Sequence, residues 1–235
     1  MLSRVTIIAL TALVASRCTT IAQPKRDYLV RGDAQPTTPS EIKYDRALRR
    51  VLERAWRKDV VLRMLDLSPF GPEWAGGLAR GPAGYHAFAI GAATNLREYL
   101  ARGSVTRWAK TGDRRTLRQP LYERRIADSV AGRIAALWRR VLTDPRNYGK
   151  DPALYLDTDQ FVFHLALLPN EHLTAKMTSW GPKVKQLLDL IDALTVYADG
   201  TISESKLVEA VAKAEKTLGI KPCDRANSGQ PHDLS

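Results

Sequence analysis

Phe161-Val162-Phe163-His164-Leu165-Ala166-Leu167-Leu168 constrains the fold of this chain more than any other stretch. The positions alternate Phe161, Phe163, Leu165, Leu167 against Val162, His164, Ala166, Leu168, so one side is wholly apolar and the other mostly so. In an extended chain successive side chains point to opposite faces. Such a segment is a strand covered on one side and central in its sheet. Leu168-Pro169-Asn170-Glu171 supplies turn residues, and Leu173–Trp180 alternates again. Leu173, Ala175 and Met177 face inward there, and Thr174, Lys176 and Thr178 outward. Residues 160–180 therefore read as a hairpin.

Two short apolar runs, Trp74–Ala79 and Tyr85–Gly91, flank Arg80-Gly81-Pro82-Ala83-Gly84 and predict a second hairpin with a five-residue loop. Helical spacing accounts for most of the remainder. Tyr44, Ala47, Leu48, Val51, Leu52, Ala55 and Trp56 form one stripe behind a Ser40 cap, and Arg46, Arg49, Arg50, Arg54 and Arg57 fill the opposite side. Asp59–Leu67 either continues that helix or forms a strand, ended by Pro69 and Pro72. Thr94–Arg102 reads as a short helix. Residues 120–143 read as a long helix opening at Pro120, with Tyr122, Ile126, Val130, Ile134, Leu137, Trp138 and Val141 as its buried stripe. Another helix follows Gly181-Pro182 and closes at Asp199-Gly200. A last one, 202–217, carries a Thr201/Glu204 capping box and stops at Gly219. The order α, ββ, α, ββ, α, α predicts an α+β fold: an antiparallel sheet of about four strands in two hairpins, with amphipathic helices packed on one face.

The ends set the expected compartment. Arg4 precedes the apolar run Val5–Ala15, which is too short to span a bilayer and fits a secretory signal peptide. Cleavage after Ser16 or after Ala22 suits the small residues there, and residues 1–22 are assigned to the signal. Residues 23–39, rich in Pro and Thr, read as a linker, 40–220 as one domain, and 221–235 as a disordered tail. Cys18 raises lipidation as an alternative, opposed by the bulky Arg17 before it. If cleavage follows Ser16, Cys18 and Cys223 could pair in an oxidising compartment. No second apolar stretch is long enough to span a membrane.

The chain carries a formal net charge of +11, and removal of residues 1–22 takes away Arg4 and Arg17 and leaves +9. Behind a signal peptide this points to an anionic envelope component or an acidic protein partner rather than to nucleic acid. A basic loop with one aromatic, Arg107, Trp108, Lys110, Arg114 and Arg115, is the candidate contact surface.

Complete catalytic motifs are missing from the sequence: it holds no G-x-S-x-G, H-E-x-x-H or phosphate-cradling loop. The candidate catalytic residues are His164, His86 and Asp157. Asp157 and Asp159 lie at odd separations from His164, and Asp159 is roughly 16 Å away along an extended strand. They read as a turn feeding the strand, with His164 as a strand histidine satisfied by a hydrogen bond. If the two strands are neighbours, His86 and His164 could approach across the sheet with Glu171 or Asp157 to hold a metal; otherwise no metal site and no cofactor is expected. Asp199-Gly200-Thr201 mimics a calcium loop, but Thr195 and Lys206 stand where the first Asp and the twelfth Glu belong.

Several spacings resemble a loosely defined group of signal-peptide-bearing secreted proteins of proteobacteria. They are Trp138-x-x-x-Leu142, Leu156-Asp157, Phe161-Val162-Phe163-His164, Ser179-Trp180-Gly181-Pro182, Tyr197-Ala198 and Pro69-Phe70-x-Pro72-Glu73-Trp74. Members often carry Gly after the turn Asp where this chain has Thr158. The resemblance implies a secreted α+β domain and brings no activity with it. The functional expectation is a secreted or periplasmic, non-enzymatic binding protein, an inhibitor or immunity-type protein being one form. The alternatives are an envelope hydrolase or metal-dependent enzyme using His164 and His86, and a lipoprotein tethered at Cys18.

Overall fold

A computed structural model describes residues 28–31, 36–102, 117–143, 160–168, 171–179 and 182–220. Every strand neighbour is antiparallel. The strands are β1 (Tyr28–Arg31), β2 (Val60–Leu67), β3 (Trp74–Gly81), β4 (Gly84–Gly91), β5 (Tyr122–Ile126), β6 (Gln160–Leu168) and β7 (Glu171–Ser179). They lie side by side as β1-β7-β6-β2-β3-β4-β5. The α-helices are α1 (Pro39–Val51), α2 (Leu96–Ala101), α3 (Asp128–Thr143), α4 (Pro182–Ala198) and α5 (Glu204–Thr217), with a 3-10 turn at Glu53–Trp56.

The α+β class and the antiparallel sheet agree with the sequence reading; the strand count does not. Both hairpins are present, as β3–β4 and β6–β7, and β6 is flanked by β7 and β2. Three strands come in addition. Asp59–Leu67, left open between helix and strand, forms β2 from Val60, where its apolar residues pair on both sides. Tyr122–Ile126 forms β5 against β4 instead of the first turn of a long helix, and the helix starts at Asp128. Tyr122 and Ile126 are four apart, a spacing that suits a helix stripe, but the partner edge of β4 wins them. The four-residue β1 falls inside the stretch expected as a linker and pairs with β7.

Helices cover both faces of the sheet, not one. On the first face α3, α4 and α5 pack over Leu62, Met64, Leu78, Ala87, Ala89, Phe161, Phe163 and Leu165. Trp138 of α3, wholly buried, sets its edge toward Phe163 with ring centroids 5.5 Å apart. On the second face α1, the 3-10 turn and α2 bring Leu48, Val51, Leu52, Ala55 and Leu96 onto Leu65, Ala75, Ala79, Phe88, Ile90 and Val162. Neighbours such as Met64 and Leu65, or Val162 and Phe163, divide between the two cores, as the period of two requires.

Local chemistry corrects three smaller readings. Thr38, not Ser40, caps α1: its hydroxyl accepts from Glu41 N, and the Glu41 carboxylate accepts from Thr38 N at 2.9 Å. These backbone bonds hold the Glu41 carboxyl at about pH 2, well below its ordinary range. The β3–β4 turn is two residues, Pro82-Ala83, because Gly84 takes φ +106° and lets the strands run on to Gly81. At α5 the cap is Ser203, and Glu204 accepts from Ala127 N at 3.0 Å, tying α5 to the entry of α3 in place of a capping box.

Candidate functional site

On the β2-β6-β7 side of the second face the described residues form a polar strip. Antiparallel register puts Arg63 opposite His164 and His164 opposite Thr174. Paired residues share a face, so these three side chains form one row across three strands. His172, opposite Ala166, and Lys176, opposite Val162, flank the row on β7. The His164 and His172 rings are 4.9 Å apart, tilted by 34°. Arg63 Nη1 donates to Ala55 O at 2.9 Å, and its guanidinium lies 5.1 Å from the Trp56 ring centroid. Arg49 of α1 lies 5.3 Å from the same centroid, so Trp56 links the helical layer to the strip.

His164 is 9% exposed, and its Nδ1 has no hydrogen-bond partner. The satisfied histidine expected from the sequence is therefore not what the strand holds. Burial first, then the positive Arg63 and the neighbouring His172, push the imidazole down to about pH 3. An unfolded histidine titrates near 6.5. The folded state thus binds fewer protons between these values, and stability is complete above pH 6.5 and falls as pH drops toward 3. The expected loss attributable to His164 between pH 6.5 and 4.5 is about 2 kcal/mol. Chemical denaturation at a series of pH values checks this: the difference between wild type and His164→Leu should slope over that window and be flat above it.

His86 does not join the site. It sits on β4 opposite Ala79 and Arg125, and both β2 and β3 intervene between β4 and β6. Three strand spacings separate the imidazoles by roughly 14 Å, so no metal or proton passes directly between them. Asp157 and Asp159, Cys18 and Cys223, and the Arg107, Trp108, Lys110, Arg114 and Arg115 cluster lie outside the described residues. Among the described residues no group of three or more His, Cys, Asp and Glu side chains comes together as a metal site. Among them, too, no helix is long and apolar enough to cross a membrane.

Arg63 and His172 are the residues the sequence reading missed. His172 was readable in principle, since the outward set Thr174 and Lys176 extends to position 172 by alternation. Arg63 was hidden because its segment had no assigned state and so no face.

A second polar cluster on this face is structural. Glu73 is wholly buried and accepts from Tyr44 OH at 2.9 Å and from Leu96 N at 2.8 Å. Burial and the Glu73 carboxylate push the Tyr44 phenol up. Asn95 Nδ2 donates to Gly71 O at 2.8 Å and Pro69 O at 3.1 Å, while its Oδ1 accepts from Glu98 N. Arg54, 5% exposed, binds Glu123 and Asp59 and lies 5.2 Å over Phe88. Every one of these groups is satisfied by a partner in the fold, which is what buried polar chemistry requires.

Comparison of the chain with family models, with curated proteins and with solved structures finds no match.

Proposed function

We propose that the protein is a secreted or periplasmic, non-enzymatic binding protein that presents a cationic surface to an anionic envelope component or an acidic protein partner. An inhibitor or immunity-type protein is one form of this role. The observation that carries the reading is the outer surface of the α1 and α2 layer. Lys43, Arg46, Arg49, Arg50, Arg57, Lys58, Arg97 and Arg102 are all exposed there and outnumber the acids Glu41, Asp45, Glu53, Asp59 and Glu98, of which Asp45, Asp59 and Glu98 pair with Arg49, Arg57 and Arg102. A layer with an excess of positive charge steers an oppositely charged partner and raises its rate of encounter. The neutral, acid-free setting of His164 argues against general acid–base work, since no described carboxylate orients it.

Capture of partners from an envelope extract on the immobilised full chain tests the reading. Specific partners should be retained at low ionic strength and released by salt, because exposed charges separated by more than a Debye length are screened. Retention that ignores salt would remove the electrostatic basis of the proposal. Tethering through Cys18 is the alternative for localisation, and mass spectrometry of the mature N-terminus separates an acylated Cys18 from a free chain end.

A further inference from the structure

We propose that the strip formed by His164, His172, Thr174 and Lys176, with Arg63 behind it, is a binding site for a phosphate or phosphate-ester group. The site is distinct from the cationic helical surface and does not depend on it. Three adjacent strands, about 4.8 Å apart, bring the row Arg63–His164–Thr174 and its two flanking residues onto one patch of the second face. The strip offers imidazole, hydroxyl and ammonium donors, and the residues facing it on β2, β6 and β7 are Arg63, Leu65, Val162, His164, Ala166, His172, Thr174 and Lys176, with no acid among them. A phosphate oxyanion matches that set, because it accepts several hydrogen bonds at once and gains most from charged donors. A metal ion does not match it. Two imidazoles alone are too few ligands, and the guanidinium beside them repels a cation.

His164 supplies the independent observation. It is nine-tenths buried and its Nδ1 has no hydrogen-bond partner, one of five buried side-chain atoms in that condition among the described residues. An unsatisfied buried polar atom costs about 1–3 kcal/mol, and an anion accepting from the His164 ring would recover that cost. Arg63 is engaged with Ala55 O and Trp56, and contributes its field rather than a free donor. Burial first, then the Arg63 field and His172, hold the His164 imidazole neutral, and a phosphate group beside it would favour its protonated form. Arg63, His172 and Lys176 are the charged groups that His164 meets from β2 and β7.

The test is a titration of the full chain with inorganic phosphate at constant ionic strength, chloride being exchanged for phosphate, read by NMR on the imidazole resonances. His172→Gln, at an exposed position, and His164→Leu assign the two rings among the four histidines of the chain. The expected result is saturable movement of both rings, with Lys176→Gln binding about tenfold more weakly. Lys43→Glu/Arg46→Glu should leave the titration unchanged, which separates failure of this site from failure of the helical surface. Co-sedimentation with phosphatidylglycerol vesicles, against phosphatidylcholine vesicles, distinguishes the source: selective binding that Lys176→Gln weakens assigns a lipid headgroup, and saturation by inorganic phosphate alone assigns a soluble ligand. Shifts that never saturate, or that are identical in Lys176→Gln, overturn the proposal.

Discussion

Gly77→Ala should destabilise the protein by about 3 kcal/mol, a large effect for a single methyl group. A Cβ on Gly77 would lie 2.1 Å from Leu62 O and 2.9 Å from Arg63 Cα. Both contacts are backbone, so no rotamer change relieves them. Gly77 pairs with Arg63, next to the irregular register of β2 between Val60 and Leu62. Relief requires β2 and β3 to part, and β2 also pairs with β6, so the cost reaches the centre of the sheet. Urea denaturation should show a lower midpoint with an unchanged slope. Gly76→Ala is the internal comparison. Its Cβ would meet Thr195 Oγ1 at 2.7 Å, a side chain of α4 that can turn aside, so the loss should be smaller. Equal stability of Gly77→Ala and wild type would show that the β2–β3 pairing is looser than described.

Glu73→Ala should cost about 4 kcal/mol, whereas Glu73→Gln should cost less than half of that. The carboxylate satisfies Leu96 N at the start of α2 and the Tyr44 hydroxyl on α1 in a place with no access to water. Truncation leaves two buried donors unpaired and opens a cavity. Gln keeps an acceptor for Leu96 N, and the Tyr44 hydroxyl can turn to accept from the amide. The helices that roof the second face should loosen together in Glu73→Ala. Hydrogen exchange at Leu96 and Tyr99, whose amides bond to Glu73 and to Asn95 O, should quicken before that of β3 and β4. If Glu73→Gln is as damaging as Glu73→Ala, the negative charge and not the hydrogen-bond geometry is what the site needs.

The parts of this fold that were legible in the sequence are those where local pattern and tertiary packing agree. The alternation of Phe161–Leu168 and Leu173–Ala175 marked a strand pair, and Trp138, Ile191 and Leu194 marked helices that do pack on the first face. Readings failed where a segment's state depends on a distant partner. Val60–Leu67 is apolar enough for either element, and only β3 and β6 on its two sides make it a strand. Tyr122–Ile126 fits a helix stripe, yet β4 takes it as an edge strand. The same dependence explains the site. The row Arg63–His164–Thr174 is a property of register between strands far apart in the chain, so no spacing rule along the sequence reveals it. His86 and His164 looked like partners because strand order was unknown; β2 and β3 inserted between them settle that they are not.

The cationic layer is the centre of the functional proposal, and its most direct test is the salt dependence of partner capture by wild type and by Lys43→Glu/Arg46→Glu. Both residues are exposed on α1, so the exchange should leave the fold intact and reverse charge where the partner is held to dock. The expected result is steep loss of capture by wild type as ionic strength rises through the range in which the Debye length shrinks from roughly 30 Å to 8 Å, with weaker capture and a flatter slope for the variant. Identical capture by the two proteins at every ionic strength would contradict the proposal.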